Sequence, residues 1–191
     1  MVLEGQVTSI EGIFHEGYKI KEIEIVDILV PDLKDEVIDI NLVQKQTDAG
    51  ERSRFRAIVV VGNGAGLIGL GIGKAVRVRN AIEKGIRNAK LNLFPVRRGC
   101  ASWECYCGEM HSLPFTVKGK SGSVTITLIP GPKGLGLVVG ETAKTILTLA
   151  GIKDCWSKST GSTKTKTSFA LATYNALKNT VKMMTPKDWA G

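Results

Sequence analysis

The sequence predicts an α+β fold in two units, and three observations carry that prediction. Residues 53–94 read in order as strand, glycine turn, glycine-rich strand and amphipathic helix. Residues 113–183 run strand, strand, glycine loop, helix, strand, hydroxyl-rich loop, helix, with turn signals between the pieces. Between these stretches Pro95 stops a helix, and Arg97, Arg98 and Gly99 mark a link. The chain thus divides into an acidic extension with short helices (1–35), a first domain (36–94), a linker with a cysteine/histidine cluster (95–112) and a second α/β domain (113–191).

In chain order, Thr8-Ser9-Ile10-Glu11 is a capping box that predicts a short helix ending near Gly17. Residues 22–29 form a second short helix, halted by Pro31. Ile10, Ile13, Phe14, Ile23, Ile25 and Ile28 give this head apolar faces, which favours docking on a basic neighbouring protein over a solvated flank. Residues 36–46 are a strand with Ile38, Ile40 and Leu42 on one side, followed by a turn at 47–50. In the next strand Phe55, Ala57, Val59 and Val61 alternate with Arg54, Arg56, Ile58 and Val60. The turn Gly62-Asn63-Gly64-Ala65-Gly66 uses residues that reach positive φ cheaply. Ile68, Leu70 and Ile72 then share one strand face. The other face, Gly69, Gly71 and Gly73, is nearly bare backbone, so something must approach it closely.

The run Gly64-Ala65-Gly66-Leu67-Ile68-Gly69 matches G-x-G-x-x-G, but a dinucleotide site needs a helix starting inside the motif and an acid about twenty residues on. Glycine continues to Gly73 instead, and Arg87, Asn88 and Lys90 stand downstream. The helix is predicted from Lys74, with Val78, Ile82, Ile86, Ala89 and Leu93 as its apolar stripe and Arg77, Asn80, Lys84 and Arg87 as a polar one. A hairpin followed by a helix with a Gly-Lys entry and a basic face is the logic of double-stranded-RNA-binding modules, which read phosphate geometry.

Charge supports a polyanionic partner. The net charge of the 191 residues is +8, yet residues 1–51 carry −8 and residues 52–191 carry +16. No apolar run reaches membrane-span length, and no basic leader precedes an apolar core at the N-terminus, so a cytoplasmic protein is expected. No internal repeat stands out. Cys100, Cys105, Cys107 and His111 follow C-x4-C-x-C-x3-H, a donor set for a closed structural Zn²⁺ site; the alternative is a loop of buried thiols that pack as small hydrophobes. A catalytic Cys–His pair lacks an evident group to orient His111.

In the second domain, residues 113–118 and 123–129 are strands joined by a turn at Gly119-Lys120-Ser121-Gly122. The glycine loop at 130–136, holding Lys133, Gly134 and Gly136, precedes a helix at 141–150 and forms an anion site if it ends at that helix N-terminus. A strand at 152–158 leads into a loop of hydroxyls and lysines at 159–167, suited to phosphate oxygens. The last helix, 167–183, turns Phe169, Ala172, Ala176, Leu177 and Val181 inward and ends before Pro186.

Three segments together resemble the small-subunit ribosomal protein S-five family in its archaeal form: VVVGNGAGLIGLGIGKA (59–75), RRGCASWECYCGEMHSLPF (97–115) and LIPGPKGLGLVVGETAKTILTLAGIKDCWSKSTGST (128–163). The resemblance implies a double-stranded-RNA-binding-like N-terminal domain followed by a two-layer α/β domain with a left-handed β-α-β crossover. It implies binding to small-subunit ribosomal RNA near the messenger RNA entry channel, beside the ribosomal protein S-four, with a contribution to decoding accuracy and no catalysis. Carried onto this sequence, the RNA-facing residues are the hairpin positions Gly62, Gly64, Gly66, Gly69, Gly71, Gly73 and Lys74, then Gly134 and Gly136, then Gly161, Ser162 and Thr163. Charge adds Arg52, Arg54, Arg56, Arg77, Lys84, Arg87, Arg97, Arg98, Lys133, Lys164 and Lys166.

Two other classes remain to be weighed. The loop at 130–136 is similar to the phosphate loop of small-molecule kinases of the galactokinase–homoserine kinase type. Leu137-Val138-Val139 stands where their serines would follow, and beyond residue 110 only Glu141, Asp154 and Asp188 could serve as base or metal ligand. A free-standing RNA-binding regulator would share the charge split, but both domains match the ribosomal pattern.

Overall fold

The computed structural model describes residues 10–15 and 18–182. They form two compact units, one of residues 1–63 and 68–94, the other of residues 64–67 and 95–191. The segment 95–112, expected as a linker, therefore belongs with the second unit.

The first unit opens with α1 (Ile10–His15) and α2 (Ile23–Leu29). Thr8 and Ser9 of the expected capping box lie outside the described residues. Ile10, Ile13, Ile20 and Val26 are buried within the chain, and Asp27 of α2 pairs with Lys90. Of the six residues that favour docking, Ile10 and Ile13 are buried, Phe14, Ile23 and Ile25 are half-buried and Ile28 is exposed, as is Tyr18 nearby.

Next come β1 (Lys34–Thr47) and β2 (Gly50–Gly62), an antiparallel pair from Thr47↔Gly50 to Lys34↔Gly62. A bulge between Val37 and Asp39 shifts the register, and with it the face each later residue presents. Ile38 of the expected stripe falls at the bulge, while Ile40 and Leu42, opposite Ala57 and Phe55, keep one face yet are exposed. Strand β3 (Leu67–Ala75) pairs with β2 only from Phe55↔Ala75 inward, so the distal parts of β1 and β2 form a two-stranded arm. Pairing of Lys74 with Arg56 keeps Lys74 in the sheet, and α3 (Val78–Leu91) starts four residues later than the sequence predicts. A short β4 (Leu93–Pro95), not anticipated from the sequence, completes the sheet order β1-β2-β3-β4.

The glycine face of β3 does receive a close approach, and what approaches is α3. A Cβ on Gly69 would sit 2.2 Å from the Ala89 carbonyl oxygen, on Gly71 2.1 Å from that of Gly85, and on Gly73 2.0 Å from that of Ala81. The contact stripe of the helix is therefore Ala81, Gly85 and Ala89, all buried, with Ile82 and Ile86 half-buried at its margin. Ala57, Val59 and Val61 of β2 pack into the same core. Asn88 and Asn92 donate side-chain N–H groups to the Ile72 and Leu70 carbonyls at 2.8 and 3.2 Å.

In the second unit β5 (Val117–Ser121) and β6 (Val124–Pro130) form a hairpin. They are followed by β7 (Leu137–Val138), α4 (Glu141–Leu149), β8 (Cys155–Thr160) and α5 (Lys166–Thr180). The sheet order is β5-β6-β8-β7, with β7 and β8 parallel and joined through α4. Ile126, Leu128, Ile146, Leu147, Ile152 and Leu177 fill the core. Gly119 is a strand residue rather than the turn the sequence suggests: its Cβ would meet the Ala172 carbonyl oxygen of α5 at 2.1 Å. Asn175 and Asn179 of α5 donate to the Lys120 and Lys118 carbonyls at 3.0 and 2.7 Å. Val181, expected inward, lies past the end of α5 and is partly exposed, while Thr173 and Thr180 are buried in its place.

Adding a methyl at Gly71 or Gly119 drives it into helix backbone, which has no side chain to swing aside. Gly71→Ala and Gly119→Ala are each expected to destabilise by about 3 kcal/mol or more, the upper end of overpacking costs. Gly122→Ala, at φ +60 with open space around it, is expected to cost only about 1–2 kcal/mol. Urea titrations of the three variants check the order; a Gly122 variant as unstable as the others would refute the close-approach account.

Candidate nucleic-acid interface

The basic residues of the first unit converge on the arm and the helix entry. Arg52, Arg54 and Arg56 recur at alternate positions of β2 and so share one face of the sheet. Directly opposite Arg52 on β1 stands Lys45, and directly opposite Arg56 on β3 stands Lys74. Two cross-strand pairs of like charge in one ladder oppose folding on their own, since facing like charges destabilise a sheet. Among the described residues none of these five cations forms an ion pair with a carboxylate. The Arg56 Nε is buried without a hydrogen-bond partner.

Two clefts open along this ladder. One, of about 320 Å³, is lined by Lys45, Arg52, Arg54, Arg56 and Lys74. The other, of about 410 Å³, shares Arg54 and Lys74 and adds Arg77, Asn80 and Lys84 from the start of α3. Among the described residues no carboxylate lines either cleft. Helix α3 begins at Arg77 with no side-chain cap and no acid in its first turn. Its first free N–H groups and the positive end of its dipole thus face the second cleft's rim without an internal acceptor. Arg87 is exposed further along the helix and lines neither cleft.

The expected glycines divide differently. Gly69, Gly71 and Gly73 lie under α3, so they leave the RNA-facing set; their role is packing. Gly62 is a buried strand residue paired with Lys34 and Ile68. At the turn, Gly64 donates its N–H to the Leu149 carbonyl at 2.8 Å, and Gly66 accepts from the Val96 N–H at 2.6 Å. Arg98 donates to the Ala65 carbonyl at 2.7 Å, so its guanidinium serves this turn. Arg97 is half-buried and already engaged within the chain.

In the second unit the loop at 130–136 is not the anion site expected at a helix N-terminus. Strand β7 separates it from α4, the Gly136 N–H is taken by Asp154 Oδ1 at 2.8 Å, and Glu141 occupies the first turn of α4. Lys133 is held at 2.7 Å by Glu109, which holds that carboxyl below its ordinary range. Gly134, Gly161, Ser162, Thr163, Lys164 and Lys166 remain exposed. Sequence reading missed a further basic surface. Lys118 and Lys120 of β5, Lys158 of β8 and the half-exposed Trp156 project from the sheet face opposite the buried Val117, Ile126 and Leu128. The alternation V-K-G-K was the available signal; misplacing the turn at Gly119 hid it.

The cysteine/histidine cluster is assembled. The Sγ atoms of Cys100, Cys105 and Cys107 and a ring nitrogen of His111 all lie within 4.8 Å of one another. Cys105 Sγ is 3.1 Å from Cys107 Sγ and 3.6 Å from His111 Nε2. The Cys105 thiol is pulled down to about 6, first by the hydrogen bond from Cys107 and then by the backbone N–H groups of Lys133 and Cys107. Burial pushes Cys100 up to about 11. His111 Nδ1 lies 2.7 Å from Asp154 Oδ2, an electrostatic approach whose N–H is not squarely aimed, and both side chains are buried. Cys155 is a separate buried thiol, pushed up to about 12 by burial.

Residues 33–97 match the family model described as ribosomal protein S5, N-terminal domain, and residues 119–190 match that of ribosomal protein S5, C-terminal domain. The chain is 62% identical to the small ribosomal subunit protein uS5 of Pyrobaculum arsenaticum over 94% of its own length and 89% of that protein. It is 60% identical to uS5 of Aeropyrum pernix over 100% of its length and 87% of that protein. For uS5 of Sulfurisphaera tokodaii the identity is 59%, over 99% and 88%.

Asp154 accepts from the Gly136 N–H of the 130–136 loop and stands 2.7 Å from His111 Nδ1. Asp154→Ala is expected to destabilise the chain by about 1–3 kcal/mol by leaving the Gly136 amide unsatisfied. Chemical denaturation measures this; a change within about 0.5 kcal/mol, the range of neutral surface substitutions, would show that water replaces the carboxylate freely.

Proposed function

The chain belongs to the ribosomal protein S5 family, and on that premise we propose that it is a structural constituent of the small ribosomal subunit that grips ribosomal RNA by phosphate contacts. The observation that carries the RNA contact is the like-charge ladder. Lys45 opposite Arg52 and Arg56 opposite Lys74, with Arg56 Nε unpartnered and no carboxylate in either cleft among the described residues, form a surface whose missing counter-charge a phosphate backbone supplies. The uncapped start of α3 adds backbone donors to the same surface. Arg52, Arg54, Arg56, Lys74, Arg77 and Lys84 are its principal contacts, and Lys118, Lys120, Lys158, Lys164 and Lys166 offer a second set on the other unit.

In the finer reading the protein sits near the messenger RNA entry channel beside the ribosomal protein S-four, works within the cytoplasmic ribosome and contributes to decoding accuracy. The family resemblance supports that placement. The kinase reading loses its physical basis at the loop, where an internal carboxylate occupies the amide a nucleotide phosphate would need. No described helix is long and apolar enough to cross a membrane.

Binding of small-subunit ribosomal RNA over a salt series tests the ladder. Lys74→Glu with Lys84→Glu is expected to lower affinity and flatten the log–log salt slope by about 1 per lost phosphate contact. Arg87→Glu, outside both clefts, is expected to change the slope less. Far-ultraviolet circular dichroism establishes that the helices persist. Unaltered affinity and slope in the double variant would overturn the assignment.

A further inference from the structure

We propose that Cys100, Cys105, Cys107 and His111 form a closed, tetrahedral Zn²⁺ site that orders the 100–111 loop and fixes the adjoining 131–136 loop. The inference is independent of RNA binding. It starts from a segment that packing cannot hold. The base of the loop is closed by a two-way backbone bridge between Gly99 and Ser112, with both N–H···O distances 2.9 Å. Between these ends there is no helix or strand. Its large apolar side chains face outward: Trp103 is 83%, Tyr106 97% and Met110 70% exposed. The loop therefore buries almost no hydrophobic core of its own. What turns inward is three thiols and one imidazole.

Their spacing fits a metal better than it fits packing. With Zn–S bonds of about 2.3 Å and Zn–N bonds of about 2.0–2.1 Å, a tetrahedron places its sulfurs about 3.8 Å apart and sulfur about 3.6 Å from nitrogen. Cys105 Sγ to His111 Nε2 is 3.6 Å, and every donor lies within 4.8 Å of the rest. Cys105 and Cys107, 3.1 Å apart, are well beyond the roughly 2.05 Å of a disulfide and need separate by about 0.7 Å to reach that spacing. Three soft sulfur donors and an imidazole select Zn²⁺ over hard cations, and four protein ligands leave no open position.

The surroundings are those of a metal ligand set. Asp154, 4% exposed, stands against Nδ1 of the 5%-exposed His111 and leaves Nε2 toward the thiols. The His111 carbonyl accepts from the Lys153 N–H at 2.9 Å, which pins the ring's backbone at the start of β8. The same Asp154 accepts from Gly136, and Lys133 of that loop pairs with Glu109 of the cysteine loop at 2.7 Å, so one ion would tie two loops to one strand. On binding, the thiols release their protons to solvent and the thiolates take up the metal; no oxidant or reductant is involved.

The test uses the full chain, purified reduced and without chelator. About one zinc per chain is expected by elemental analysis. Cobalt added to the stripped chain is expected to give tetrahedral d–d bands with thiolate-to-cobalt charge transfer. Cys107→Ser is expected to lose tight zinc binding, Cys155→Ser to retain it, and Asp154→Asn, at a positioning residue, to weaken metal affinity about 10–100-fold. Hydrogen exchange at residues 100–111 and 131–136 should rise on metal removal. Should Cys107→Ser fail to fold, the wild-type cobalt titration and exchange data still decide. Substoichiometric zinc with no tetrahedral cobalt spectrum, or zinc held equally by Cys107→Ser, would overturn the proposal and leave the RNA-binding reading untouched.

Discussion

Both units depend on a helix backbone lying directly on strand backbone, and they achieve it in the same way. In the first unit the strand is Leu70-Gly71-Ile72; Gly71 lies under Gly85 and Ala89, and Asn92 and Asn88 bond the carbonyls on either side of it. In the second the strand is Lys118-Gly119-Lys120; Gly119 lies under Ala172 and Ala176, and Asn179 and Asn175 bond the flanking carbonyls. The chemistry is reciprocal. Removing Cβ from the strand and keeping the helix face to Gly or Ala lets the two backbones touch. Carbonyls crowded by the helix then need donors, and two Asn one turn apart supply them. The helix sequences that do this, GIRNAKLN and ATYNALKN, share Asn-Ala-x-x-Asn at matching positions.

This constraint also frees the basic surface from any structural duty. Phe55, Ala57 and Val59 pack toward α3, while Arg54 and Arg56, at alternate positions, project to the other face. Two unit charges about 5 Å apart repel by less than about 1 kcal/mol in bulk water. A unit held by close helix packing and a continuous β1–β2–β3 ladder tolerates two such pairs. The repulsion grows where water is excluded, which is where Arg56 Nε sits. A polyanion that fills the clefts converts that repulsion into attraction, so the strain points to the ligand's charge.

Much of this could be read from residue order, and the failures have physical causes. The alternation in β2, the glycine face of β3 and its need for a close partner were apparent because several residues repeat the signal. Gly119 was misread because one glycine before Ser-Gly looks like a turn; only α5, about fifty residues away, explains it. The bulge at Val37–Asp39 carries no sequence mark, and nothing in the local pattern shows that Ile40 and Leu42 are left exposed. The helix start was set too early because Lys74 satisfies a helical pattern as well as a strand one, and its pairing with Arg56 decides between them. The glycine loop at 130–136 suggested an anion site because the sequence does not show that Asp154, in a distant segment, folds back on its amide. The Asn-Ala-x-x-Asn echo was present but short, and its meaning appears only with the strands in place.

The cysteine loop shows the limit of the packing device. Close backbone approach requires a strand and a helix, each holding its own hydrogen bonds, and residues 100–111 have neither. Nor do they bury enough apolar surface to offset the roughly 1–2 kcal/mol per residue that ordering a backbone costs. An ordered segment of that kind needs a few strong directional bonds instead, and those come from the side chains that point inward. Trp103 and Tyr106 stay on the surface, so neither contributes to a core within the loop. Packing in the two sheets and, in the loop, the coordination proposed above would thus be separate solutions to one problem, each placed where the local sequence allows it.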